Sequence, residues 1–198
     1  MGNILYKIGA TFFRIYFKLA HNWKIHGKSN RVNSGPLIII SNHVSYFDPP
    51  LVGSIMKRQV HFLAKKELFK NPIFGWVLRK IGVIPIKRGK PDRKAIKNAF
   101  NVLKNKKVLG IFPEGTRHHP EKLGKAKAGV VMIALKSECP ILPVGIKYIT
   151  DNNKNTQVSI GKPFTLDEFY NKKLNRDEKK EVGNLLMDKI KNELDKIK

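Results

Sequence analysis

Four consecutive branched apolar residues, Leu37-Ile38-Ile39-Ile40, follow Pro36. The run is too short for a buried helix and reads as a strand covered on both faces. Similar runs recur at 60–63, 82–86, 108–112, 141–146 and 158–160, and helical patterns lie at 49–57, 71–81, 91–104, 125–136 and 176–197. This alternation predicts an α/β fold with a mostly parallel or mixed central sheet flanked by helices. A chain of 198 residues with 41% hydrophobic content excludes disorder, a polytopic membrane protein and a disulfide miniprotein. One core of this size buries roughly 70% of the unfolded chain's surface. The single cysteine, Cys139, has no partner for a disulfide, fits a reducing compartment and reads as a core residue.

The charge is +24, from 39 Lys and Arg against 15 Asp and Glu, and it is unevenly spread. No acid precedes Asp48, whereas Lys7, Arg14, Lys18, Lys24, Lys28 and Arg31 do. Residues 54–110 hold sixteen basic residues against Glu67 and Asp92, while 176–198 are nearly balanced. Such an excess predicts an anionic partner: nucleic acid, an acidic membrane face or a phosphorylated substrate. The alternative is a lysine-rich composition without functional meaning.

Residues 4–20 are apolar apart from Lys7, Thr11, Arg14 and Lys18, which fall within an arc of about 60° on a helix. Seventeen residues reach about 25 Å, short of a hydrocarbon core of ~30 Å, and three cations interrupt them. An amphipathic helix in the membrane interface suits this pattern, each cation adding on the order of 1 kcal/mol near an anionic leaflet. The competing reading packs the apolar side on the protein's own core. No small-residue cleavage site follows, and Tyr6 stands where myristoylation wants Ser or Thr, so attachment is expected to be non-covalent.

Two constellations carry candidate chemistry. In Ser41-Asn42-His43-Val44-Ser45-Tyr46-Phe47-Asp48-Pro49-Pro50, a histidine leaves the first strand at the edge where α/β proteins usually bind ligands. On a continuous helix His43 and Asp48 would lie about 140° apart, so only a turn brings them together. Asp48 followed by Pro49 reads as a helix N-cap and first helical residue, so Asp48 either caps alone or also holds the His43 ring. The second constellation, Phe112-Pro113-Glu114-Gly115-Thr116-Arg117, leaves another strand with an arginine whose planar fork suits a phosphate. No Gly-x-Ser-x-Gly elbow offers a serine nucleophile. The adjacent His118 and His119 lack a carboxylate cluster, so no metal is expected.

Taken together, these blocks resemble the 1-acyl-sn-glycerol-3-phosphate (lysophosphatidic acid) acyltransferase family of the glycerolipid acyltransferase superfamily. Asn42-His43 with Asp48 matches its histidine-x4-aspartate block, 82–88 its second, Phe112 to Arg117 its third and Ile141-Leu142-Pro143-Val144 its fourth. The segment 62–69 is similar to one that often lies between the first two. The residue pattern makes 1–26 a membrane-associating amphipathic helical segment, and the resemblance implies that 27–198 are an acyltransferase domain. It implies His43 as general base on the sn-2 hydroxyl of lysophosphatidic acid, oriented by Asp48, with direct transfer and no acyl-enzyme. Arg117 is implied to bind the substrate phosphate, helped by Lys65 and Arg88. Glu114 either orients the glycerol or shapes the loop, and Gly115 permits the loop's backbone. No cofactor is implied beyond acyl carrier protein or coenzyme A thioester as donor.

The implied location is the cytoplasmic face of the cell membrane, peripheral or monotopic, on an anionic surface. Glycerol 3-phosphate or another lysophospholipid is an alternative acceptor. A non-catalytic basic module is the alternative of a different class, but no zinc-finger spacing, RNP-type motif or strong helix-turn-helix signal supports nucleic acid as its partner.

Overall fold

A computed structural model describes residues 2–87, 89, 91–119, 122–149 and 155–197. Among these residues six α-helices, α1 (Gly2–Ala20), α2 (Asp48–Ile55), α3 (Pro72–Lys80), α4 (Arg93–Lys104), α5 (Ala128–Ser137) and α6 (Arg176–Asp195), surround seven strands. The strands are β1 (Lys24–His26), β2 (Leu37–Ser41), β3 (Val60–Lys65), β4 (Ile84–Ile86), β5 (Val108–Ile111), β6 (Ile141–Tyr148) and β7 (Thr156–Ile160). They form one sheet in the order β1-β7-β6-β2-β5-β3-β4. Five are parallel; β7 runs antiparallel to β6, and β1 runs parallel to β7. The mixed α/β sheet expected from the sequence is therefore present.

The period of two along β2 explains the layers. Leu37 and Ile39 join Phe17 of α1 and Leu51, Val52 and Ile55 of α2 on one face. Ile38 and Ile40 join Ala99 of α4, Val131 of α5 and Leu186 of α6 on the other. With helices on both sides, all five residues of β2 are buried, as an uninterrupted branched run requires.

β1 has no counterpart among the strands read from the sequence, because three residues with one apolar side chain carry no periodic signal. Its pairing with β7 sets residues 24–26, grouped by the sequence with the helical segment, at the sheet edge. Helix α1 divides its surface. The Tyr6 hydroxyl donates to the Gly53 carbonyl (3.2 Å) and accepts from the Val60 N–H (3.0 Å). The Arg14 guanidinium donates to the Ser54 carbonyl at 2.9 and 3.1 Å, near the C-terminal end of α2, where cations are favoured. Phe17 is fully buried, while Ile4, Ile8, Phe12, Ile15 and Leu19 form an exposed stripe.

Packing between β3 and β5 prepares the site. Gly110 lies opposite Phe62, and a Cβ on Gly110 would sit 2.3 Å from the Phe62 ring. The missing side chain lets that ring lie over β5, where it stacks on Phe112 at 5.8 Å. Gly110→Ala is expected to lower stability by about 1–3 kcal/mol through overpacking. Gly129→Ala, in open space on α5, should be neutral or gain up to about 1 kcal/mol. Urea unfolding of both variants checks the contrast; equal midpoints would remove the packing role assigned to Gly110.

Candidate active site

β2 and β5 are parallel neighbours, so the segments leaving their C-terminal ends emerge side by side. Asn42 fixes the first exit: its amide donates to the Ile146 carbonyl and its oxygen accepts from the Ile146 N–H, both at 2.8 Å. This side chain continues the β2–β6 ladder one residue beyond its last backbone pair, Ser41 with Val144. The loop after β5 then holds His43 from both sides. The His43 N–H donates to Glu114 Oε1 (2.9 Å), and the His43 carbonyl accepts from the His118 N–H (2.9 Å).

The turn from His43 to Asp48 closes on one buried carboxylate. Asp48 Oδ2 accepts from His43 Nδ1 at 2.8 Å and from the Val44 and Ser45 N–H groups at 2.7 Å each. Asp48 is fully excluded from solvent. It does not cap α2, which corrects the N-cap reading: Phe47 occupies that position and no side chain caps the helix. Pro49 and Pro50 supply no N–H donors, and the Leu51 N–H is taken by the Phe47 carbonyl, which frees the carboxylate to turn back. With Nδ1–H donating to Asp48, His43 Nε2 keeps its lone pair, the arrangement a general base needs. Phe112 stacks against the imidazole at 4.2 Å with planes 22° apart, fixing the ring from one side.

Arg117 and His43 belong to touching loops, since the residue after Arg117 bonds the His43 carbonyl. The Arg117 guanidinium carbon lies 3.4 Å from the centre of the Tyr46 ring, and both side chains are exposed. Glu114 is buried, with Oε1 on the His43 N–H and Oε2 accepting from the Gly124 N–H at 2.8 Å. Both oxygens are thus occupied by backbone, the geometry of a loop-shaping group. Gly115 has φ 71°, the left-handed region that favours glycine. Lys65 ends β3 at the same edge of the sheet, exposed, its side chain without a hydrogen bond or ion pair among the described residues. Arg88 lies outside the described residues. Cys139 is buried in the core, and burial pushes its thiol up, which suits packing rather than nucleophilic chemistry.

Sequence reasoning missed two features that touch the dyad. The motif that contains Phe112 gives no sign that its ring stacks on the imidazole. Tyr148, 100 residues from Asp48, donates its hydroxyl to Asp48 Oδ1 at 2.8 Å. Only the pairing of β6 with β2 brings it there, and no local pattern marks it.

The family model described as Acyltransferase matches residues 22–147, more than half of the chain. This chain belongs to the acyltransferase family. It is 33% identical over 140 residues to the 1-acyl-sn-glycerol-3-phosphate acyltransferase of Bacillus subtilis, covering 70% of this chain and 69% of that one. The Streptococcus pneumoniae enzyme of the same description is 37% identical over 131 residues, and the match spans 62% of this chain and 48% of that relative. The crystal structure of the 1-acyl-sn-glycerophosphate acyltransferase PlsC from Thermotoga maritima superposes with a TM-score of 0.74 at 25% identity, covering 94% of this acyltransferase and 78% of that chain.

The two backbone N–H groups on Glu114 provide a check on its role. Glu114→Ala should speed amide exchange at His43 and Gly124 roughly tenfold or more, since each loses a charge-assisted bond. Unchanged exchange at both sites would contradict loop shaping.

Proposed function

We propose that this acyltransferase moves a fatty acyl group from an acyl carrier protein or coenzyme A thioester to the sn-2 hydroxyl of lysophosphatidic acid, making phosphatidic acid. The reading is carried by the His43–Asp48 contact, set beside a loop that ends in Arg117 and is bonded to the His43 backbone. His43 Nε2 takes the hydroxyl proton as the alkoxide attacks the thioester carbonyl. The tetrahedral intermediate collapses with loss of the thiolate, which receives the proton from the imidazolium. Asp48 holds the imidazole in the Nδ1–H tautomer and offsets its transient positive charge. Arg117, resting on Tyr46, offers its fork to the acceptor phosphate, with Lys65 and Arg88 as further positive charge.

The same reading places the enzyme peripherally on an anionic membrane, on the cytoplasmic face where its thioester donors are made. No helix among the described residues is long and apolar enough to cross a membrane. The exposed stripe of α1 has exposed Ile73, Phe74 and Trp76 on α3 as its companions. The two helices approach each other, since a Cβ on Gly2 would run into the Lys80 carbonyl. Beside the stripe a groove of about 570 Å³ is lined by Lys7, Arg14, Lys57, Arg58, Lys106 and Lys107 and by no carboxylate. An apolar face flanked by cations is the surface an anionic leaflet attracts.

Two assays test this. With purified protein, His43→Ala should lower acyl transfer to lysophosphatidic acid by about 10²–10⁴-fold without loss of vesicle binding. Undiminished turnover would remove His43 as the base, and no turnover in the parent protein would leave the non-catalytic module. Arg117→Ala should raise KM for lysophosphatidic acid far more than KM for the donor; equal rises would argue against a phosphate clamp. Faster turnover of glycerol 3-phosphate or another lysolipid would transfer the acceptor assignment to that compound. In the second assay, Ile8→Ser with Phe12→Ser, which spares buried Phe17, should move the protein from pelleted phosphatidylglycerol vesicles to the supernatant. Unchanged sedimentation would contradict docking through α1.

A further inference from the structure

Asp48 is served unevenly. Three donors, His43 Nδ1 and the Val44 and Ser45 N–H groups, converge on Oδ2 from the turn that Asp48 itself closes. Oδ1 receives the Tyr148 hydroxyl from the far side, out of a different strand. Bonds gathered on one oxygen let a carboxylate pivot about that oxygen; a donor on the second removes the freedom. We propose that Tyr148 is a positioning residue of the acyl-transfer site, fixing the plane of the Asp48 carboxylate and drawing part of its charge onto Oδ1, and thereby setting the pH range over which His43 accepts a proton. This rests on His43 being the base of the proposed reaction.

The fold explains how Tyr148 reaches the carboxylate. Leu142, Val144, Ile146 and Tyr148 alternate along β6 onto the face that packs against α2. Ile146 already holds Asn42 through two backbone bonds. One strand therefore anchors both ends of the catalytic turn, residue 42 by its backbone and residue 48 by a side chain.

Burial, and then the neighbouring Asp48 charge, push the Tyr148 hydroxyl well above its ordinary value. It keeps its proton throughout the working range and acts as a constant donor, without exchanging protons with substrate. The other groups facing the dyad do not share this role. Glu114, from the loop after β5, is bonded to the His43 backbone, and His118 lies 3.7 Å from Glu114. Phe112 covers one face of the imidazole. Just after α1, the His21 ring lies 6.4 Å from the Phe47 ring. Among these groups only Tyr148 pairs with the carboxylate oxygen left free by the turn.

Withdrawing the hydroxyl concentrates negative charge beside His43 and favours its protonated form. Tyr148→Phe should therefore move the acid limb of the kcat profile to higher pH by about half a unit to one unit. It should lower kcat at neutral pH roughly tenfold, with KM for acceptor and donor unchanged. Replacing Tyr148 by 3,5-difluorotyrosine, a stronger donor of the same shape, should move the acid limb the opposite way; this arm also decides the matter if the Phe variant does not fold. A profile that superposes on the parent after scaling, or a change confined to KM, would overturn the proposal. Retained activity in His43→Ala would instead overturn the reading on which it rests, so the two failures are distinct.

Discussion

A carboxylate with no exposure to water must be surrounded by donors, and Asp48 is. Around it the chain makes the turn from His43 to Asp48, starts α2 on two prolines that claim no acceptor, and draws in β6. The imidazole becomes one of four donors to this group, so its tautomer and plane follow from a requirement of folding. The atoms that meet this requirement are those to which the proposed chemistry is assigned, so removal of the carboxylate is expected to lower both stability and turnover.

The second support is packing from the sheet. Gly110 leaves room for Phe62, Phe62 stacks on Phe112, and Phe112 lies against His43. Close packing of this kind transmits strain, so a methyl group added on β5, the strand beside β2, is felt at the His43 ring. Glu114 joins the two loops from below by accepting from the backbone of each.

Much of this was legible in the sequence. Strands buried on both faces announce themselves as branched runs, and β2 and β5 stand close to where the pattern puts them. The spacing of His43 and Asp48, with Pro49 behind them, required a turn, and a turn is found. What stayed hidden depends on pairings between distant segments. β1 is too short for a period and exists because β7 offers it an edge. The capping reading of Asp48 weighs a local preference; it allows for the His43 ring but not for the Val44 and Ser45 N–H groups that also claim the carboxylate. The apolar surface of α1 looked like a choice between core and membrane, yet Phe17 turns inward and Phe12 outward on the same helix. Tyr148 sits 100 residues from its partner and belongs to no motif.

In the proposed reaction His43 presents an unprotonated Nε2 to the acceptor hydroxyl because Asp48 holds the proton on Nδ1. Nitrogen-15 NMR of ring-labelled protein at neutral pH, with and without lysophosphatidic acid, tests it most directly. We expect a protonated Nδ1 with a strongly downfield proton, and a bare Nε2 whose resonance moves when lysophosphatidic acid is added. A proton on Nε2, or an Nε2 resonance indifferent to the acceptor, would contradict it.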